Sequence, residues 1–416
     1  MVRGIAILGI LPVNAPFFAY PVRVGDDPDY PLDDRWSSLS VAVVRTFFEY
    51  KFITLFALLF GVGLGILHTR HATAGNDRYA PIVLRRLGAL LVFGALHATC
   101  LWFGDIVFEY ALIALVVCWF AYVAPRPLAV LGTCAGVLPL GLLCVGLVLS
   151  FTPDNPAADW LASEFPDGQG GRIDTGWREF VSRCDDLDPD FEIAVYGHGT
   201  YEQEVVLRTV TWVQGATSAA FYFWPRLAGL MLLGIALGRS RWFRDPGGVP
   251  GRARFRLIAA IGLPVGLAGE LLGSWLRFED GATSAQRVVA EMVHYSASAC
   301  LSAGLLAGVA LLCTRRALWQ TPFAAVGRLA FTNYIGQSLV MSSLFYAHGR
   351  GLYDQVSRGE LAALVCCVWG AQLALSVLWL RRFRSGPLEW LWRSATYWRP
   401  MPFLRRPDDG AVAGPA

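Results

Sequence analysis

Charge is scarce in this sequence. Only 16% of its 416 residues are charged, against about 25% in an average soluble domain, so a water-soluble globule of this length would lack the polar surface it needs. That shortage excludes a cytosolic enzyme. The 55% hydrophobic share and mean hydropathy of +0.45 exclude a disordered chain, which combines low hydrophobicity with high charge. Lysine is almost missing: of the 35 basic residues, Lys51 alone is not arginine. The arginine bias fits GC-rich coding and names no partner. The net charge is only +3, with no basic face carrying groove-reading elements, so nucleic acid is excluded as a partner. Metal-ligand spacing is missing as well. None of the nine cysteines forms a C-x-x-C knuckle pair; Cys184 sits in a polar loop, and the rest lie in or beside apolar runs as small buried hydrophobes.

What the sequence does have is long apolar runs. A membrane span needs roughly 20 such residues, and about ten candidates follow one another near 4–20, 41–67, 82–103, 106–124, 128–151, 208–238, 256–276, 286–313, 321–346 and 361–380. The expected fold class is therefore all-α, a polytopic transmembrane bundle of about ten spans. Its expected parts are a five-span N-terminal bundle (1–151), an acidic loop (152–205), a C-terminal transmembrane half (206–400) and a disordered tail (401–416). The first run is interrupted by Pro12, Asn14 and Pro16, and a cleaved signal peptide with Arg3 as its basic region is the alternative reading there.

Arginines set the orientation. Arg70, Arg78, Arg85 and Arg86, then Arg239, Arg241, Arg244, Arg252, Arg254 and Arg256, then Arg315 and Arg316, then Arg381, Arg382 and Arg384 fall on one face of a ten-span chain. The positive-inside rule makes that face cytoplasmic, with both termini inside. The opposite face receives residues 21–40 and the 152–205 loop, which holds 13 acidic residues. The run DDLDPDFE at 185–192 lacks the glycine and spaced ligands of a calcium loop, so it reads as a solvated acidic face.

Ionisable residues inside spans are costly and are functional candidates by default. The stretch at 85–112, RRLGALLVFGALHATCLWFGDIVFEYAL, places His97 near a helix end, Asp105 at a tight reversal and Glu109 just beyond. A histidine held by a carboxylate is an oriented general base. The bland alternative is a packing histidine beside a helix N-cap. Glu49 and Lys51 enter the second span and Glu270 lies in the seventh, while Glu291 and His294 share one face of the eighth. One Glu-x-x-His falls short of a di-iron site, which needs two, so no metal is expected. Arg328, Asn333 and Gln337 open the ninth span. The glycines of FGVGLG at 60–65 allow close approach by another helix or a ligand.

Four stretches in order, RGIAILGILPVN (3–14), EYKFITLFALLFGVGLGI (49–66), RRLGALLVFGALHATCLWFGDIVFEYA (85–111) and GRLAFTNYIGQS (327–338), resemble the YeiB family of bacterial membrane proteins. The C-terminal half of that family is a domain of unknown function, DUF418, and it is similar to the transmembrane acyltransferase superfamily. Two features depart from its pattern: an acidic lead-in before RG is absent, and Tyr50 stands where the family often has glycine in EGKF.

The resemblance implies an enzyme that passes an acyl group from cytosolic acyl-CoA, a donor substrate rather than a bound cofactor, to a glycan, lipid or small-metabolite acceptor. It also implies residence in a bacterial plasma membrane, among membrane lipids. His97 would be the base and Asp105 its orienter. Asn14, Glu49, Glu109, Asn333 and Gln337 would contact substrate, and Arg3 and Arg328 would attract coenzyme A phosphates. A transporter using His97, Glu270, Glu291 and His294, or a non-catalytic membrane protein, remains the alternative. The absence of similarity between the halves counts against an inverted-repeat transporter.

Overall fold

The computed structural model describes residues 1–24, 30, 37–73, 78–149, 180, 183, 184, 188–240, 243, 248–279, 282–314 and 317–405. Most of the 152–205 loop, the acidic run at 185–187 and residues 406–416 lie outside these. Among the described residues the architecture is all-α, with no strand beyond an isolated bridge between Phe383 and Leu404.

The order is α1 (Val2–Ala19), α2 (Ser37–Phe47), α3 (Lys51–Thr73), α4 (Tyr79–Cys100), α5 (Val107–Val117), a 3₁₀ turn (Cys118–Tyr122) and α6 (Pro125–Leu149). There follow α7 (Pro189–His198), α8 (Tyr201–Arg239), α9 (Val249–Arg277) and α10 (Ser284–Cys313). The chain ends in α11 (Gln320–Arg328), α12 (Ala330–Phe345), α13 (Arg358–Arg382) and α14 (Pro387–Tyr397). Eight helical stretches are long and apolar enough to cross a membrane, α2 and α3 counting as one, and Val107–Tyr122 is a shorter apolar helix.

The expected runs reappear with changed outlines. Pro12 and Pro16 do not break α1, which is continuous and packs centrally against α3, α11, α12 and α13; neighbouring helices supply what the prolines remove. The run expected at 41–67 is split between α2 and α3, with Tyr50 at the joint in the left-handed region (φ 59°). The run at 321–346 is likewise split after Arg328.

Long helices start where sequence supplies a cap. Thr200 with Gln203, Thr283 with Gln286 and Ser357 with Glu360 each form a capping box at the start of α8, α10 and α13. In FGVGLG, Gly61 and Gly65 lie against the backbone of Met231 and Ile235, while Gly234 and Gly238 face Leu58 and Val62 in return. A Cβ at any of these would collide with backbone, so the motif is a helix-packing seam between α3 and α8.

Contacts sort the helix ends onto two faces. Tyr201 donates to the Cys100 carbonyl, Arg208 to Thr99 and Val22 to Glu192, so the ends of α1 and α4 meet α7 and the start of α8. On the opposite face Arg239 donates to Ala121 and Val123, Trp392 to Arg86, and Arg328 to Arg384. The chain is a multi-pass integral membrane protein.

Candidate functional site

The α4–α5 reversal brings His97 onto Asp105. Gly94 makes this possible, since a Cβ there would collide with the backbone of Phe108; its absence lets the start of α5 close onto α4. Asp105 Oδ1 then caps α5 by accepting from the Phe108 N–H at 2.6 Å, and Oδ2 lies 2.7 Å from His97 Nδ1. Both residues are buried, at 3% and 4% exposure. A carboxylate can only accept, so Nδ1 carries the proton and Nε2 is left with its lone pair. Nε2 is buried without a hydrogen-bond partner among the described residues. Tyr334 and Trp102 pack their rings around the imidazole, with centroids 5.2 and 6.5 Å away. The packing-histidine and N-cap alternatives are thus partly realised: Asp105 is a cap as well as the imidazole's orienter.

A cavity of about 1190 Å³ adjoins this pair. Asp105, Glu109, Asn14 and Glu49 line it, which brings four expected site residues to one space, while His97 lies behind Asp105. The other expected contacts lie elsewhere. Gln337 donates to the Ile7 carbonyl and to Gln372, and Asn333 donates to Val326 and Ser376, so both knit α12 to its neighbours. Arg3 and Arg328 lie on the opposite face near other arginines, Arg393 within electrostatic reach of both.

A second cluster is larger than sequence spacing indicated. Lys51 is wholly buried, its Nζ 2.8 Å from Glu270 Oε2 and 2.6 Å from the Arg45 carbonyl. The same Glu270 oxygen meets His294 Nδ1 at 2.6 Å. His294 Nε2 faces Glu49 at 3.4 Å without hydrogen-bond geometry, and Arg45 spans from Glu49 (3.5 Å) to Glu291 (2.8 Å). Tyr50 and Tyr222 each approach Glu291 at 3.4 Å, and the Arg226 guanidinium lies 4.8 Å from the Tyr50 ring. Arg45, Glu49 and Tyr50 also line the cavity, so the network forms one of its walls. The rare lysine was a visible signal; Arg45 and Arg226 carried none.

Tyr50 explains its own departure from the EGKF pattern. At φ 59° a side chain is strained where glycine is not. The strained backbone turns the ring into the network, 5.2 Å from the His294 ring. Among the described residues no group of three or more His, Cys, Asp or Glu is arranged to hold a metal ion.

A third histidine pair lies at the α7 face. Glu204, wholly buried, takes Nδ1 of the exposed His348 (2.6 Å) and the guanidinium of the wholly buried Arg208 (3.2 Å). Nearby Glu192 forms no close ion pair among the described residues, although Arg23 lies within electrostatic reach. Its Oε2 accepts from Val22 N–H (3.0 Å) and Tyr353 (3.1 Å), and burial pushes its carboxyl up to about 8.

Comparison with known proteins agrees with the resemblance read from the motifs. Residues 237–399 match the family described as "Protein of unknown function (DUF418)". The chain is 31% identical to "Uncharacterized protein YxaH" of Bacillus subtilis over 423 residues, covering 96% of this chain and 94% of the relative. The chain belongs to the DUF418 family. It is also 31% identical to "Uncharacterized protein YeiB" of Escherichia coli, over 95% of this chain and 94% of that protein. No solved structure matches the chain. DUF418 thus names the C-terminal half, while His97 and Asp105 themselves lie in the N-terminal half that the relatives also cover, with Tyr334 of the DUF418 stretch packed on the imidazole.

Proposed function

We propose that this DUF418 protein is a membrane acyltransferase of a bacterial plasma membrane, with the arginine-rich face inside and the α7 face outside. One observation carries the reading: a buried imidazole anchored through Nδ1 by a carboxylate, with Nε2 unpartnered. That tautomer accepts a proton. An acceptor hydroxyl or amine would give its proton to His97 Nε2 as its O or N attacks the thioester carbonyl of acyl-CoA. The C–S bond breaks, and the departing thiolate takes the proton back from the imidazolium. Asp105 holds the ring and stabilises its cationic form, a contribution of general-base catalysis worth typically 10²–10⁴ in rate. Arg3, Arg328 and Arg393 supply cations for donor phosphates at the inner face.

A second reading, transport of a small molecule, draws on a different observation. The cavity wall runs into the Arg45, Glu49, Lys51, Glu270, Glu291 and His294 network, and buried ion pairs within spans mark many substrate and proton paths.

Purified protein given labelled acetyl-CoA and longer acyl-CoAs decides between them. The expectation is thioester loss and label transfer in wild type, both lost in His97→Ala. Absence of acyl-CoA binding and turnover in well-folded protein, with uptake into proteoliposomes that disappears in Glu291→Gln/His294→Ala, would establish transport instead.

A further inference from the structure

The cavity is divided by chemistry. Its body is apolar and aromatic, formed by Val43, Phe48, Phe52, Trp212, Phe223 and Trp369. Arginines gather where α1, α9 and α13 reach the α7 face: Arg23 just past the end of α1, Arg277 as the last residue of α9 and Arg358 as the first of α13. Arg358 is fixed in place, donating to the Tyr30 carbonyl with its guanidinium over the Tyr20 ring. Arg23 and Arg277 form no ion pair among the described residues. Arg45, which also lines the cavity, has a buried Nε without a hydrogen-bond partner among the described residues, a donor available to a ligand oxygen. Seven residues of helix separate Arg277 from Glu270, so the cationic rim stands about 10 Å above the ion-pair network.

Two hydroxyls of the wall are already committed: Thr217 and Ser218 of α8 both donate to the carbonyl of Gln214 in their own helix. Leu39 and Val43 of α2 belong to the cavity wall and are 55% and 39% exposed. An apolar body and a cationic rim within a bundle of membrane-crossing helices together describe one kind of occupant. The volume of about 1190 Å³ exceeds the roughly 300–1,000 Å³ typical of drug-sized ligands and suits an acyl chain.

We propose that the cavity binds a membrane lipid with an anionic phosphate headgroup, held by Arg23, Arg277 and Arg358 at the rim with its chain along the aromatic body. This names the lipid class as acceptor and rests on the acyl-transfer reading for that role only; the binding stands without it. Arginine is suited to the task because its planar fork meets phosphate oxygens two at a time.

The test uses the full chain in phosphatidylcholine nanodiscs with trace photoactivatable lipid carrying a diazirine in the acyl chain. Phosphatidylglycerol probe should label peptides containing Phe48, Phe52 or Trp212, and do so about tenfold more than phosphatidylcholine probe, whose phosphate is the same but whose choline cation is repelled by the arginine rim. Arg23→Gln/Arg277→Gln should bring the two probes level. Val43→Trp, which narrows the cavity without touching charge, should lower labelling by both probes. Equal labelling by the two lipids in wild type, or labels confined to outward residues such as Val130, Val145 and Val148, would overturn the proposal. No acyl-CoA is present, so labelling without turnover would sink acyl transfer alone, and turnover without labelling would sink the lipid site alone.

Discussion

Two histidines in this protein are held alike and surrounded differently. His97 and His294 each meet a buried carboxylate through Nδ1, at 2.7 and 2.6 Å. Around His97 the partners are aromatic and the pair stands alone. Around His294 the carboxylate is shared with Lys51, and Glu49 and Arg45 extend the chain of charges to Glu291. The first arrangement leaves a lone pair with nothing to bind, which is what a base requires. In the second, most charges already have a partner, which makes it a strut between α2, α3, α9 and α10 as much as a site. A histidine–carboxylate pair in a membrane therefore does not by itself identify chemistry; what faces the other ring nitrogen, aromatic rings around His97 and the Glu49 carboxylate at His294, separates the two.

Removing Lys51 should break the second region hardest. Lys51→Met leaves Glu270 with His294 alone in the bundle, and loss of one partner of a buried ion pair costs about 3–5 kcal/mol. Thermal unfolding in detergent should show the loss, and Lys51→Met/Glu270→Gln should recover most of it. If the single variant unfolds at the wild-type temperature, the strut role is wrong.

The first region should behave the other way. Asp105→Asn is expected to lower acyl transfer by about 10²–10⁴, because the amide favours the wrong imidazole tautomer. Its stability should fall only by about 1 kcal/mol, since an amide oxygen still caps α5. His97→Ala combined with Asp105→Asn should be no slower than His97→Ala alone. A strictly multiplicative double variant would separate the two residues.

The contrast also shows what the sequence alone discloses. The shortage of charge and the apolar runs disclosed the bundle, and the seven residues between His97 and Asp105 fit a helix end and its reversal, so that pair was legible. The strut was not. It joins Arg45 and Lys51 of the adjacent α2 and α3 to Glu270 and His294 of α9 and α10, two helix pairs distant in sequence that only packing brings together. For Asn333 and Gln337 the resemblance implied substrate contacts, while their place in a span also fits helix-packing glue. Their partners, Val326, Ser376, Ile7 and Gln372, lie in neighbouring helices.

Glu192 offers a buried carboxylate with neither a histidine nor a close ion pair among the described residues. Its folded value of about 8 lies above the ordinary 4.5, so the folded state holds the proton more tightly than the unfolded state. Stability should fall as pH rises from about 4.5 to about 8, by up to about 1.4 kcal/mol per pH unit. Glu192→Gln should flatten that part of the profile. A Glu192→Gln profile as steep as wild type would mean that other groups set it.

The smallest effect tests the backbone under the strut. Tyr50 holds a left-handed conformation that costs an L-residue about 1 kcal/mol or more and glycine almost nothing. Tyr50→Ala and Tyr50→Gly both remove the ring beside His294 and Arg226. They differ only in whether a Cβ remains. Tyr50→Gly should therefore be the more stable of the two by about 1 kcal/mol, the reverse of their order in a helix interior, where glycine costs about 1 kcal/mol relative to alanine. The inversion would show that the α2–α3 joint is built for a glycine and that tyrosine is kept there for its ring. If alanine proves the more stable, the joint relaxes to an ordinary helix when the ring is gone, and the ring itself is what bends the chain toward His294.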